Sequence, residues 1–206
     1  TQGGLTRFGQ MVVDECNRVG LVLDCSHISR RSSLEIMDRS TEPTIFSHSN
    51  AKALVDNPRN IDDEQIKMLA AHGGVIGVVC WGPLLFRESA TTRPTLDDVV
   101  DHVDYLAQLL GSVDNIGVGT DFSLGSYPFH EPNPWGEPDL LSTRKDYDTH
   151  VITDSPRAPQ RFAAGFSAYS QVLDFVDELQ QRGYSVEDVG KILGENFLRV
   201  FGQVWK

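Results

Sequence analysis

No apolar run in the 206 residues approaches the ~20 needed to span a bilayer, so no membrane insertion of this chain is expected. The opening Thr1-Gln2-Gly3-Gly4 has neither the basic nor the apolar region of a signal peptide. Only three cysteines occur, Cys16, Cys25 and Cys80, too few and too irregularly spaced for a disulfide framework or a CxxC metal site. They read as buried thiols, which suits a reducing compartment and favours the cytoplasm. Basic residues are also short, 18 Lys and Arg against 29 Asp and Glu, for a formal charge of −11. Nucleic acid and anionic lipid both need a basic footprint to displace counterions, so overall charge excludes them as partners and leaves only a local cationic pocket. Neither a fixed-period repeat nor a low-complexity tract is found, which excludes solenoids and disordered tails.

What is there has the pattern of an α/β protein. Short continuous apolar runs at Leu21 to Leu23, Thr44 to Phe46, Val75 to Val79 and Ile116 to Gly119 suit strands buried on both faces, as in parallel sheets flanked by helices. Between and after them, helical periodicity predicts helices at about 6–19, 30–39, 62–72, 95–110, 166–182 and 185–204. Thr95 to Asp98 and Ser185 to Asp188 fit capping boxes, and Gly20, Gly73, Gly111 and Gly183 stand where helices should stop. Residues 123–162 break the rhythm: rich in proline and aromatics and without a period, they read as an ordered lid or interface loop.

Each strand run ends in polar residues, and in parallel α/β folds ligands sit at that end. His27 and His48 directly follow two of the runs, where their imidazoles can either share a metal ion or serve as core histidines bonded to backbone. Asp121 follows Gly117-Val118-Gly119-Thr120 and can act as general acid or base, as a ligand, or as an N-cap. Arg59, in the turn Asp56-Asn57-Pro58-Arg59-Asn60, is a bidentate clamp for a substrate carboxylate or a solvated turn residue. By strand alternation Asp24 should face away from Cys25 and His27, which leaves it no ligand role. His72 and His102 read as surface or helix-packing residues, and His130 and His150 fall in the irregular loop.

At these same residues the sequence resembles the membrane dipeptidase (renal dipeptidase) family of zinc metallopeptidases. The match runs through Gly4-Leu5-Thr6, Asn17-Arg18-Val19-Gly20, Leu23-Asp24-Cys25-Ser26-His27 and Pro43-Thr44-Ile45-Phe46-Ser47-His48-Ser49-Asn50. It continues through Pro58-Arg59-Asn60-Ile61-Asp62-Asp63-Glu64, Gly117-Val118-Gly119-Thr120-Asp121-Phe122 and Gly194-Glu195-Asn196-Phe197-Leu198-Arg199-Val200-Phe201, in order and with family spacing. The resemblance implies the second half of a (β/α)8 TIM-type barrel, with four parallel strands and flanking helices over residues 1–206, completed by an N-terminal half that is not in this chain. The family's His-x-Asp pair, its bridging glutamate and a histidine that contacts the reacting carbonyl all lie upstream of the Gly-Leu-Thr segment.

The resemblance further implies that His27 and His48 bind one of the two Zn²⁺ ions of a complete site. Arg59 would hold the C-terminal carboxylate of the substrate, and Asp121 would handle the proton of the attacking water and of the leaving amine. The implied function is zinc-dependent hydrolysis of dipeptides with a free C-terminal carboxylate. Expected partners are the dipeptide and the complementary N-terminal half-barrel, with a homo-oligomer admissible. Two rival readings stand beside it: another metal-dependent amidohydrolase or lactonase on the same scaffold, for which Arg59 has no evident use, and a non-catalytic subunit lacking the full metal site.

Overall fold

The computed structural model describes residues 3–87, 90, 92–122 and 162–206. Helix α1 (Arg7–Val19) begins where the Thr6 side chain accepts from the Gly9 amide and ends at Gly20. Helix α2 (Arg30–Arg39) starts in the same way on Ser29, and α3 (Asp63–Ala71) on a capping box between Asp62 and Gln65. Helix α4 (Leu96–Leu110) is preceded by Thr95, whose amide and hydroxyl both donate to the Asp98 carboxylate, at 2.8 and 3.2 Å. These four helices match their predicted positions to within a residue or two.

Strands β1 (Ile45–Phe46), β2 (Val75–Val78) and β3 (Ile116–Val118) form a parallel sheet in the order β1-β2-β3, with Ile45 opposite Val75 and Gly77 opposite Gly117. The apolar run at Leu21 to Leu23, expected as a fourth strand, joins this sheet by a single parallel bridge from Asp24 to Ile45. Ile45 donates to Leu23 at 2.9 Å and Cys25 donates to Ile45 at 2.7 Å, after which Ser26 enters a turn and the ladder stops. Sequence neighbours are therefore spatial neighbours throughout, and α2, α3 and α4 pack side by side in the same order. This is a singly wound α/β arrangement with a parallel sheet.

The pleat sorts the strand side chains onto two faces. Cys25, Phe46, Ile76, Val78 and Ile116 join the main core with Ile36 and Met37 of α2, Ile66 and Leu69 of α3, and Val99, Val103 and Leu106 of α4. Ile45 and Val75 face the other way and pack on Val200 and Val204 of α7 (Asn196–Val204). On that second face Ser47, Gly77, Gly119 and Asp24 lie toward the carboxyl ends of the strands, beyond the apolar cluster.

The C-terminal helical stretches depart from expectation. The helix predicted at 166–182 is a 3₁₀ turn (Tyr169–Gln171) followed by α5 (Val172–Gln181). The one predicted at 185–204 is broken into α6 (Val186–Gly190), a π turn (Lys191–Glu195) and α7, because the backbone at Gly194 leaves the helical region. The break turns the buried Asn196 toward β3, where its amide donates to Val113 and Ile116 carbonyls at 2.7 and 2.8 Å. Asn196→Ala strands both acceptors in the core, so we expect it to lower unfolding free energy by about 1–3 kcal/mol in urea titrations, with little change in slope.

The bland histidine readings hold where the structure describes them. His102 is buried in α4, its Nδ1 accepts from the Ala51 amide at 3.1 Å, and burial pushes its pKa down to about 3. His72 caps α3 at the surface. All three cysteines are free and buried, and burial pushes the Cys25 thiol up to about 12. Residues 123–161 of the irregular segment, with His130 and His150, lie outside the described residues.

Candidate metal and substrate site

The chain leaving β1 does not run straight on. Its Ser47 carbonyl lies so close over the sheet that a Cβ on Gly77 would sit 2.1 Å from that oxygen, and one on Gly119 would sit 1.8 Å from it. Those two positions therefore require glycine, and through them Ser47 and His48 cross above the ends of β2 and β3. Ser49 secures the crossing by donating its amide to the Gly77 carbonyl at 2.8 Å.

His27 reaches the same spot from the neighbouring segment by way of the turn after Cys25, in a left-handed conformation with φ 63°. Its Nε2 lies 2.9 Å from Nε2 of His48, with the rings tilted by 55° rather than stacked. Two imidazole nitrogens thus converge on one point. Burial, the nearby Arg59 charge and His48 hold His27 below its ordinary pKa, which favours the neutral ring a metal ion requires. His48 Nδ1 is 2.8 Å from Ser47 Oγ, so its Nε2 is the nitrogen left to bind. Histidines so placed fit part of a zinc-type donor set. Among the described residues no third His, Cys, Asp or Glu completes a cluster with them.

Asp121 and Arg59 border this pair. Asp121, like His27, sits in the left-handed region, at φ 59°, and among the described residues these are the two non-glycines that do. Aspartate and histidine tolerate that region better than most residues, yet each such residue stores of order 1 kcal/mol, a cost that concentrates at functional sites. The Asp121 charge acts on both His27 and Arg59. Arg59 is carried by a turn pinned at two points: Asn57 donates to the Pro83 carbonyl and accepts from the Arg59 amide, and Asn60 donates to the Val55 and Leu84 carbonyls. Its guanidinium is half-buried beside a cavity of about 110 Å³ shared with Cys25, Ser49 and Asn60, and makes no hydrogen bond or ion pair with any described residue. Burial lowers its pKa while Asp121 and Asp24 oppose that shift; the group stays cationic and is available to an anion.

Asp24 is where alternation misled. The turn at Ser26 to Ile28 brings His27 over to the face that Asp24 occupies, instead of leaving the two on opposite sides. Asp24 accepts from the Ser26 and Ser47 amides at 2.9 and 3.0 Å and from Ser47 Oγ at 2.5 Å. Ser47 and Asp24 thus support the histidine pair; an Asp-x-Ser spacing, which makes an Asx turn, was the available signal.

The chain matches the membrane dipeptidase family (peptidase family M19) over residues 1–132 and 150–206. It is 32% identical to dipeptidase tcpJ of Claviceps purpurea and 30% identical to dipeptidase 3 of Homo sapiens, each over 98% of this chain. It spans 39% and 34% of their lengths. Among solved structures, an amidohydrolase from Pseudomonas aeruginosa superposes with a TM-score of 0.76 at 30% identity, covering 98% of this chain and 58% of that one. A metallo peptidase from Rhodobacter sphaeroides, liganded with a phosphinate mimic of the dipeptide L-Ala-D-Ala, shares the fold with a TM-score of 0.75 at 24% identity, over 100% of this chain and 48% of that one.

Proposed function

Because the chain belongs to the membrane dipeptidase family, peptidase family M19, we propose that it is the C-terminal half of a (β/α)8 barrel whose complete protein hydrolyses dipeptides with a free C-terminal carboxylate. The observation that carries this reading is the convergence of His27 and His48 beside a half-buried Arg59, which pairs with no described residue, and a carboxylate at Asp121. His27 and His48 would hold one zinc ion through their Nε2 atoms, and the further ligands would come from the N-terminal half. The bound metal supplies Lewis-acid polarisation of the scissile carbonyl and a more acidic water.

This chain's own residues then do three things. Arg59 binds the substrate carboxylate through its planar fork and so sets the distance from the free C-terminus to the bond that is cut. That anchoring favours dipeptides over long chains. Asp121 takes the proton of the attacking water and delivers it to the leaving amine nitrogen. The two histidines stay fixed in place while the charge develops.

Arg59→Ala is the direct test. In the full-length protein it is expected to raise KM for dipeptides by about 10- to 100-fold with a smaller effect on kcat, the loss of a charge-assisted contact of roughly 1.5–3 kcal/mol. Substrates with an amidated C-terminus should be handled alike by wild type and variant. If Arg59→Ala discriminates against them as strongly as wild type does, Arg59 is not the carboxylate anchor, and the amidohydrolase reading suggested by the Pseudomonas relative gains ground.

A further inference from the structure

We propose that Asp24, acting through the Ser47 hydroxyl, fixes His48 as the Nδ1–H tautomer and so presents its Nε2 lone pair to the metal, which makes Asp24 and Ser47 positioning residues. The proposal rests on the reading of His48 as a metal ligand.

The argument is one of counting protons. Ser47 Oγ carries a single hydrogen and has two close polar neighbours, Asp24 Oδ2 at 2.5 Å and His48 Nδ1 at 2.8 Å. Asp24 already receives the amide N–H of Ser26 and of Ser47 on Oδ1, so its carboxylate is surrounded by donors. The short contact takes the hydroxyl hydrogen, because a charged acceptor outcompetes a neutral imidazole. Ser47 Oγ then offers only lone pairs to His48, and Nδ1 must supply the hydrogen of that bond. A neutral ring with its proton on Nδ1 has a bare Nε2, the atom that faces His27.

The neighbours reinforce this order. Ser26 Oγ accepts the His48 amide at 3.1 Å and lies 3.3 Å from Ser47 Oγ, holding the backbone and the hydroxyl in one place. Ser47 is itself fixed by the close approach of its carbonyl to Gly77 and Gly119.

The test uses the full-length protein with three variants and two readouts besides activity. Zinc affinity is measured by chelator competition, and the His48 tautomer by ¹⁵N imidazole shifts of the metal-free protein. Ser47→Ala is expected to weaken zinc by about 10- to 100-fold, the usual effect of removing a partner that orients a ligand. Ser47→Thr keeps the hydroxyl and should restore both affinity and tautomer. Asp24→Asn reverses the order of protons, since its amide can donate to Ser47 Oγ, which would then donate to His48 Nδ1 and move the ring proton to Nε2. It should therefore weaken zinc at least as much as Ser47→Ala does, although it is nearly isosteric. Thermal melting of the metal-free variants separates these effects from loss of fold. Wild-type affinity and an unchanged Nδ1–H tautomer in both Ser47→Ala and Asp24→Asn, with zinc still shifting His48, would overturn the proposal and leave the ligand reading standing. Zinc that leaves the His48 resonances of the wild type unmoved would overturn the ligand reading itself.

Discussion

Asp121→Asn in the full-length protein is expected to lower kcat for dipeptide hydrolysis by about 10²–10⁴, the usual worth of a positioned acid or base, while KM and zinc content stay near wild type. Asparagine is the informative replacement. It keeps the size of the side chain and, like aspartate, accepts the left-handed backbone at φ 59°, whereas alanine would add strain to the loss of the carboxylate. The geometry that motivates this result is the location of Asp121 at the end of β3, where its charge reaches His27 and Arg59. Elemental analysis and steady-state kinetics on the same preparation check it. A variant with near-normal kcat, or one whose loss of activity only follows a loss of zinc, returns Asp121 to a cap or a ligand.

His27→Ala and His48→Ala are each expected to remove about one zinc per chain and to abolish turnover with it, since a catalytic zinc rarely survives below three protein ligands. The two variants should differ in stability. His27 occupies a left-handed position, so His27→Gly is expected to lose the same zinc as His27→Ala yet to unfold with a free energy higher by roughly 1–2 kcal/mol, because glycine alone bears no steric cost there. His48 has no such backbone constraint, and its replacement frees the Ser47 hydroxyl instead. Full zinc occupancy in both alanine variants would remove the pair from the metal site.

Much of the fold was legible because burial writes a period into the sequence. Leu96 to Leu110 and Arg7 to Val19 carry helical stripes with start and stop signals, and they form helices where those signals stand. Val75 to Val78 is continuously apolar because the strand is buried on both faces, between the α2 to α4 layer and α7. The stretch after Leu21 predicts a strand on the same ground, yet among the described residues it contributes a single bridge, at Asp24. There it has one described neighbour and turns at Ser26, and neither fact leaves a trace in hydropathy. Gly194 breaks a helix that periodicity draws as continuous, because each piece keeps a helical stripe of its own: Val189 and Ile192 before the kink join the main core, and Val200 and Val204 after it pack on Ile45 and Val75.

For the site, the sequence by itself determined which residue types end the strands, and so placed His27, His48, Arg59 and Asp121 on loops that parallel topology gathers to one end. It also carries enough of the family's motifs to identify the family. Only the tertiary structure decided how they meet. Whether His27 shares a face with Asp24 depends on one backbone dihedral after Cys25, and alternation, which assumes extended residues throughout, assigns the wrong side. Whether His48 comes over the sheet depends on Gly77 and Gly119, distant in sequence, being bare of a Cβ beneath the Ser47 carbonyl. Local pattern reports what each residue buries; a close approach between distant backbones is a property of the pair, and it exists only once both strands are in place.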